Sequence, residues 1–177
     1  MAGQVIARAS GVALVEQEGK LHAVELGTAW AYTAGFVLGL ITFIFGAFGA
    51  VQLVMALVGS SGILLLGLVF LPIAALGAAG LWLVVRYVRR RNAAPLGALP
   101  VRLVFDLSAG TLCTGDGQLI APLASVKVHH KFQVTSSSRA LEVTWSGGST
   151  ELVGGNPFAG GIGPIEDALR SRGIAVG

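Results

Sequence analysis

Charge is scarce in this chain. Asp, Glu, Lys and Arg make up only 12% of its 177 residues, about half the share of an ordinary soluble domain. That shortage excludes a disordered tail, a nucleic-acid-binding module and a purely soluble single domain. The length argues against a large multidomain enzyme. Cysteine is nearly absent too. One residue, Cys113, excludes an intramolecular disulfide framework and agrees with a reducing cytoplasm. Its chemistry reads as that of a small buried hydrophobe, not a nucleophile.

The missing charge is missing from one place. No Asp, Glu, Lys, Arg or His occurs in the 60 positions from Leu26 to Val85. A bilayer core of about 30 Å takes roughly 20 helical residues, so a stretch this long holds two spans. Gly59-Ser60-Ser61-Gly62 is the break between them, made of residues that tolerate turn dihedrals. The spans are expected over about Ala29 to Val58 and Ile63 to Val88, with Pro72 a kink inside the second. Both exceed the minimum length, which implies tilt or a protruding helical end. Arg86, Arg89, Arg90 and Arg91 close the second span while the Gly59–Gly62 turn carries no charge. The positive-inside rule then places the Arg cluster, as a topology anchor, in the cytoplasm with both termini. Trp30, Tyr32, Trp82 and Tyr87 fall near the same ends, as an interfacial belt would. The N-terminus is polar and contains acids, unlike a cleavable signal peptide. These features fit a multi-pass protein of a bacterial inner membrane.

Within the spans nothing can ionise, so transport chemistry in this chain alone is not expected. Thr33, Thr42 and Gln52 are read as bonding their own or a neighbouring helix. Small residues recur at helical spacing: Ala31, Gly35 and Gly39 in the first span, Ala74 with Ala78 and Ala75 with Ala79 in the second. Such faces let backbones approach closely, either within the hairpin or against another integral membrane subunit.

All 21 charged residues, 12 basic and 9 acidic, lie in the other 117 positions, a share of about 18% that approaches the soluble norm. There the pattern turns to short alternating runs: Val101 to Asp106, Thr111 to Thr114, Gln118 to Ile120, Val126 to Val134, Leu141 to Trp145 and Thr150 to Val153. Strands this short, separated by Gly and Ser turns, predict an antiparallel sheet or small barrel over residues 100–177, after a linker at 92–99. Pro164 followed by Glu166 and Asp167, with Arg170 and Arg172 before Gly173, predicts a C-terminal helix over 164–172. Residues 1–27 read as strands around a Gln17-Glu18-Gly19 turn. A lone hairpin is marginal in water, so these strands are expected to join the C-terminal sheet. The fold class is an α+β membrane protein: a transmembrane helical hairpin plus a β domain with a C-terminal helix.

Two spans, short strands and one terminal amphipathic helix resemble the bacterial pleckstrin-homology-like membrane proteins. The resemblance rests on Gly117-Gln118-Leu119-Ile120-Ala121-Pro122-Leu123, on Leu152 before Asn156-Pro157-Phe158, and on the helix from Pro164. It covers roughly Val101 to Gly173. It implies a cytoplasmic PH-like domain, from which this chain departs by lending N-terminal strands.

Of the candidate sites, the foremost is basic. Lys127, His129 and Lys131 share one strand face, and Arg139 follows the Ser136-Ser137-Ser138 turn. Such a face could meet anionic lipid headgroups or an acidic partner. His129 and His130 point to opposite faces, so they do not share a metal ion. Residues 154–163 precede a helix like a phosphate cradle, yet lack the Lys and Ser/Thr of a P-loop. They read as a connector with Phe158 as a hydrophobic anchor. No catalytic constellation, metal site or cofactor is expected. Function is expected to be that of a non-catalytic accessory, assembly or regulatory subunit of a larger membrane complex. The alternative is an independent membrane-anchored module, alone or as a homo-oligomer, that senses anionic lipid or recruits a cytoplasmic partner.

Overall fold

Two-residue turns organise the N-terminal strands. Strands β1 (Gln4–Ala9), β2 (Val12–Gln17) and β3 (Lys20–Glu25) are joined by Ser10-Gly11 and Glu18-Gly19. All four turn residues have positive φ: 46° and 83° in the first pair, 52° and 74° in the second. That geometry matches the right-handed twist of flanking strands, which is why Gly follows a polar residue in both. The computed structural model describes residues 3–59, 64–133 and 138–177. Ser60, Ser61 and Gly62, where the turn is expected, Ile63, where the second span is expected to begin, and Val134, Ser136 and Ser137 lie outside them.

The chain forms two units, one of residues 1–29 with 91–177 and one of residues 30–90. In the first, β3 pairs antiparallel with β4 (Val101–Asp106), Leu21 opposite Phe105 and His22 opposite Val104. The meander continues through β5 (Thr111–Thr114) and β6 (Leu119–Pro122), giving one six-stranded antiparallel sheet. A second sheet holds β7 (Lys127–Lys131), β8 (Ala140–Trp145) and β9 (Gly148–Val153). The antiparallel sheet expected from the alternation is thus divided in two. β7 ends at Lys131, short of the run to Val134, and the C-terminal residues cover its edge through Gly177 N to Val128 O at 2.9 Å.

Helix α3 (Gly163–Arg170) packs on β1 and β2 and closes the core. Leu14, Leu21, Phe105, Leu112, Leu141, Leu152, Ile165 and Leu169 are all fully buried there. The helix stops at Arg170, so Arg172 falls in the following turn and not in a last helical turn. Its guanidinium instead reaches Glu16 at 2.5 Å. The outer face of β2 and β3 is covered as well. Ala13, Val15 and Val24 form a second apolar cluster with Leu99, flanked by Ala94 and Leu96. Residues 92–99 therefore pack as part of the fold, around a 3-10 turn at Leu96–Ala98. This double coverage accounts for the unbroken apolar run Val12-Ala13-Leu14-Val15.

The second unit is a pair of long apolar helices, α1 (Ala29–Leu57) and α2 (Leu64–Asn92). Pro72 lies inside α2, and that helix continues through all four arginines. Trp30 and Tyr87 have ring centroids 5.4 Å apart, bringing the start of α1 beside the end of α2. Both helices are long and apolar enough to cross a membrane.

Candidate functional site

Small residues set the approach of α1 and α2. Cβ atoms placed on Gly35, Gly46, Gly49, Gly77 and Gly80 would each fall within contact range of the opposite helix, with Gly77 only 2.6 Å from Thr42 Oγ1. On α1 the contacts recur at Gly35, Leu38, Thr42, Gly46 and Gly49, in steps of three and four residues that keep them on one helix face. Ala31 and Ala74 are buried. The other small residues of the expected series face elsewhere: Gly39 has nothing within 4 Å of a built Cβ, and Ala75, Ala78 and Ala79 are exposed. Thr42 donates to its own helix at Leu38 O, 2.8 Å away. Gln52 Oε1 is buried with no hydrogen-bond partner among the described residues.

At the end of α2 the charge is all of one sign. Arg86, Arg89 and Arg90 surround a hollow of about 210 Å³ with Trp82 and Val85. The Arg86 guanidinium carbon sits 5.2 Å from the Trp82 ring centroid, a cation–π distance. Among the described residues none of Arg86, Arg89, Arg90 and Arg91 has an ion-pair partner. The carboxylates engage elsewhere: Glu16 with Arg172, Glu25 with Arg102, Asp106 with Lys20 and Glu166 with Arg170.

On the face of β7, sequence alternation brings Lys127, His129 and Lys131 together, but cross-strand neighbours alter its charge. Register places His129 opposite Glu142 of β8, which in turn stands opposite Glu151 of β9. Glu142 lies 2.7 Å from Lys131 Nζ and 3.4 Å from His129 Nε2, and accepts from Ser149 Oγ at 3.0 Å. The hydrogen bond from Lys131 holds the Glu142 carboxyl below its ordinary pKa and raises that of Lys131. The face is therefore mixed, a basic strand laid against an acidic one. His130 points the other way and meets Glu166 of α3 at 3.2 Å. The two imidazoles thus serve different carboxylates. Among the described residues no group of three or more His, Cys, Asp or Glu side chains could hold a metal ion.

Sequence reading missed a polar cleft on the outer face of the larger sheet. It has about 400 Å³ and is lined by Lys20, His22, Val104, Asp106, Cys113 and Asp116. An adjoining cavity of about 440 Å³ shares His22 and runs under Leu96. Lys20 Nζ pairs with Asp106 at 2.9 Å. With Ser108 and the Ala109 N–H also donating, this keeps the Asp106 carboxyl far below the ordinary carboxylate range. Burial, then the Lys20 charge, lowers the His22 pKa. Cys113, expected as a small buried hydrophobe, is half-buried here. The signal was the shared parity of Lys20 and His22 in β3, but only the pairing with β4 and β5 adds Asp106 and Cys113.

The 154–163 loop also departs from expectation. Phe158 does not anchor into the core: it is exposed, in a turn where its N–H donates to Asn156 Oδ1 at 2.9 Å. No protein-family model matches the chain, and comparison with curated proteins and with solved structures finds no match.

Proposed function

We propose that this chain is a membrane-anchored docking subunit, in which a transmembrane hairpin binds other integral membrane subunits and a cytoplasmic β domain contacts a partner or the membrane surface. One observation carries the reading: the hairpin closes on Gly35, Gly46, Gly49, Ala74 and Gly77, leaving Gly39 and the Ala75-Ala78-Ala79 set outside that contact. Small residues left on an outward helix face let another helix approach closely.

Exposure supports the membrane part. In the most apolar stretches of the two helices only 6% and 11% of residues are buried, whereas the core helix of a soluble protein is mostly buried. Side chains such as Phe43 and Leu76 are about three-quarters exposed (73% and 74%). The arginines of α2, without an ion-pair partner among the described residues, favour placing that end, and both termini, on the cytoplasmic side of a membrane we read as a bacterial inner one. Two antiparallel sheets closed by one C-terminal helix favour a PH-like β domain. In this reading the chain has no catalytic role.

The test is purification of the tagged full chain at native expression level in mild detergent, followed by mass spectrometry. A stoichiometric foreign membrane subunit is expected. Its loss from an Ala75→Leu/Ala78→Leu/Ala79→Leu variant that still reaches the membrane would place the contact. Recovery of the wild-type chain alone, with normal stability, sinks the proposal.

A further inference from the structure

Three segments remote in sequence meet around Ala29, where α1 begins. Gly11, in the β1–β2 turn, is packed so closely that a Cβ there would stand 2.8 Å from the Ala29 nitrogen. Asn156 Nδ2 donates to the Ala29 carbonyl at 2.9 Å, and Asn156 Oδ1 accepts from Phe158 N. Ser10 Oγ donates to Gly161 O at 3.3 Å. The loop between β9 and α3 is thereby fastened at two points. The returning chain lies at the same place, because a Cβ on Gly27 would meet the Arg91 guanidinium at 3.0 Å. Both junctions through which the chain leaves and rejoins the β unit thus belong to one end of that unit.

That end is apolar and weakly basic. Phe158 is 44% exposed, within a run from Leu152 to Ile165 that carries no charge. The backbone of Gly155 runs against Arg139, its built Cβ 2.1 Å from the Arg139 carbonyl oxygen. This brings the end of β7 and the start of β8 beside the loop. Just past the Lys131–Ala140 pair, Phe132 is 78% exposed. Arg139 is exposed and has no ion-pair partner among the described residues.

We propose that Phe158 and Phe132, with Arg139 beside them, form a membrane-contact surface that dips into the headgroup region of the same bilayer that holds the hairpin. The inference rests on reading α1 and α2 as spans. Aromatic rings partition into the interface while the loop's peptide groups stay hydrated there. A guanidinium at that level pairs with lipid phosphate. A charge-free, Gly-rich loop inserts without desolvating an ion. The β unit then has a third attachment beside its two covalent ones, which restricts its rotation over the membrane surface.

The experiment uses the full chain in vesicles of phosphatidylcholine and phosphatidylglycerol, with Cys113→Ala as background. Single cysteines replace Phe158, Phe132, Phe43 on α1, and Ala109 in the β4–β5 turn at the strand ends remote from Ala29. Each is labelled with an environment-sensitive fluorophore and challenged with nitroxide lipids. Deep acyl-chain nitroxides should quench the Phe43 site. Shallow nitroxides should quench the Phe158 and Phe132 sites about twofold or more relative to Ala109, as expected for a group at the headgroup boundary. Quenching at Phe43 with neither or only one phenylalanine site quenched overturns the surface and leaves the spans standing. No quenching at Phe43 overturns the spans and this inference together. Shielding of the Phe158 label from aqueous iodide without nitroxide quenching assigns it to a protein partner and likewise overturns the lipid contact.

Discussion

Replacing Gly77 by alanine tests the hairpin at its tightest point. The added methyl would stand 2.6 Å from Thr42 Oγ1 and 3.4 Å from both Ile41 Cγ2 and Thr42 N. The hydroxyl is not free to yield, because it donates to Leu38 O at 2.8 Å. Reaching ordinary contact therefore needs a shift of roughly 1 Å between the helices. Overpacking of this kind costs about 1–3 kcal/mol. Removing a glycine from a helix interior returns about 0.5–1 kcal/mol, so a net loss of about 1 kcal/mol, and at most about 2.5 kcal/mol, is expected. Thr42→Ala deletes the atom at 2.6 Å and leaves only tolerable contacts, so Gly77→Ala in that background should cost little. Gly39→Ala, with open space around it, should be neutral or stabilising. The assay is denaturant titration in mixed micelles, followed by Trp30 and Trp82 fluorescence and analysed as a double-mutant cycle. A neutral Gly77→Ala, or one that Thr42→Ala fails to relieve, refutes this packing.

Stability should fall in two stages on acidification. His22 has its pKa lowered in the fold, so its contribution is present above pH 6.5 and is lost as pH drops below that value. Asp106, Asp116 and Glu142 are likewise lowered, so theirs is lost below the ordinary carboxylate range. Lys20 and Lys131 are raised, so they weaken the fold only as pH climbs past 10.5. Thermal melts by circular dichroism should lose the first stage in His22→Gln and part of the second in Asp106→Asn; a wild-type melting temperature unchanged through strong acid contradicts the assignment. For the β7 face, Glu142→Gln should increase, and Lys127→Ala/Lys131→Ala decrease, the binding of nanodisc-held protein to phosphatidylglycerol vesicles. No change in either variant ends the anionic-surface reading of that strand.

What was legible in the sequence follows from how local each signal is. Two apolar helices could be read because sixty consecutive positions lack an ionisable group, and no tertiary contact is needed to see that. Strands showed through alternation and through Glu18-Gly19, whose turn chemistry is contained in two residues. The end of α3 was misplaced by two residues because Arg172 suits a helix C-terminus as well as a bridge to Glu16, and the bridge depends on β2. The basic face of β7 was legible from one strand; its neutralisation was not, because Glu142 reaches Lys131 only through the β7–β8 register. The small-residue series was found by spacing, yet which members meet across the hairpin depends on the rotation of each helix. Gly35 was found in contact and Gly39, four residues on, in open space.

The pairing of β3 with β4 has a consequence for the order of synthesis. Glu25 N bonds Pro100 O at 2.9 Å, although every residue of both long helices lies between them in the chain. The first three strands leave the ribosome long before β4 exists, and β3 waits with one edge unpaired while the hairpin is made. Sheet closure is thus a late event that spans most of the polypeptide, and loop-closure entropy opposes it until α1 and α2 bring their ends together. Formation of the hairpin should shorten that search, so helix pairing is expected to favour closure of the sheet. A lesion in the helix contact would then surface as slow or incomplete assembly of a sheet whose own residues are intact.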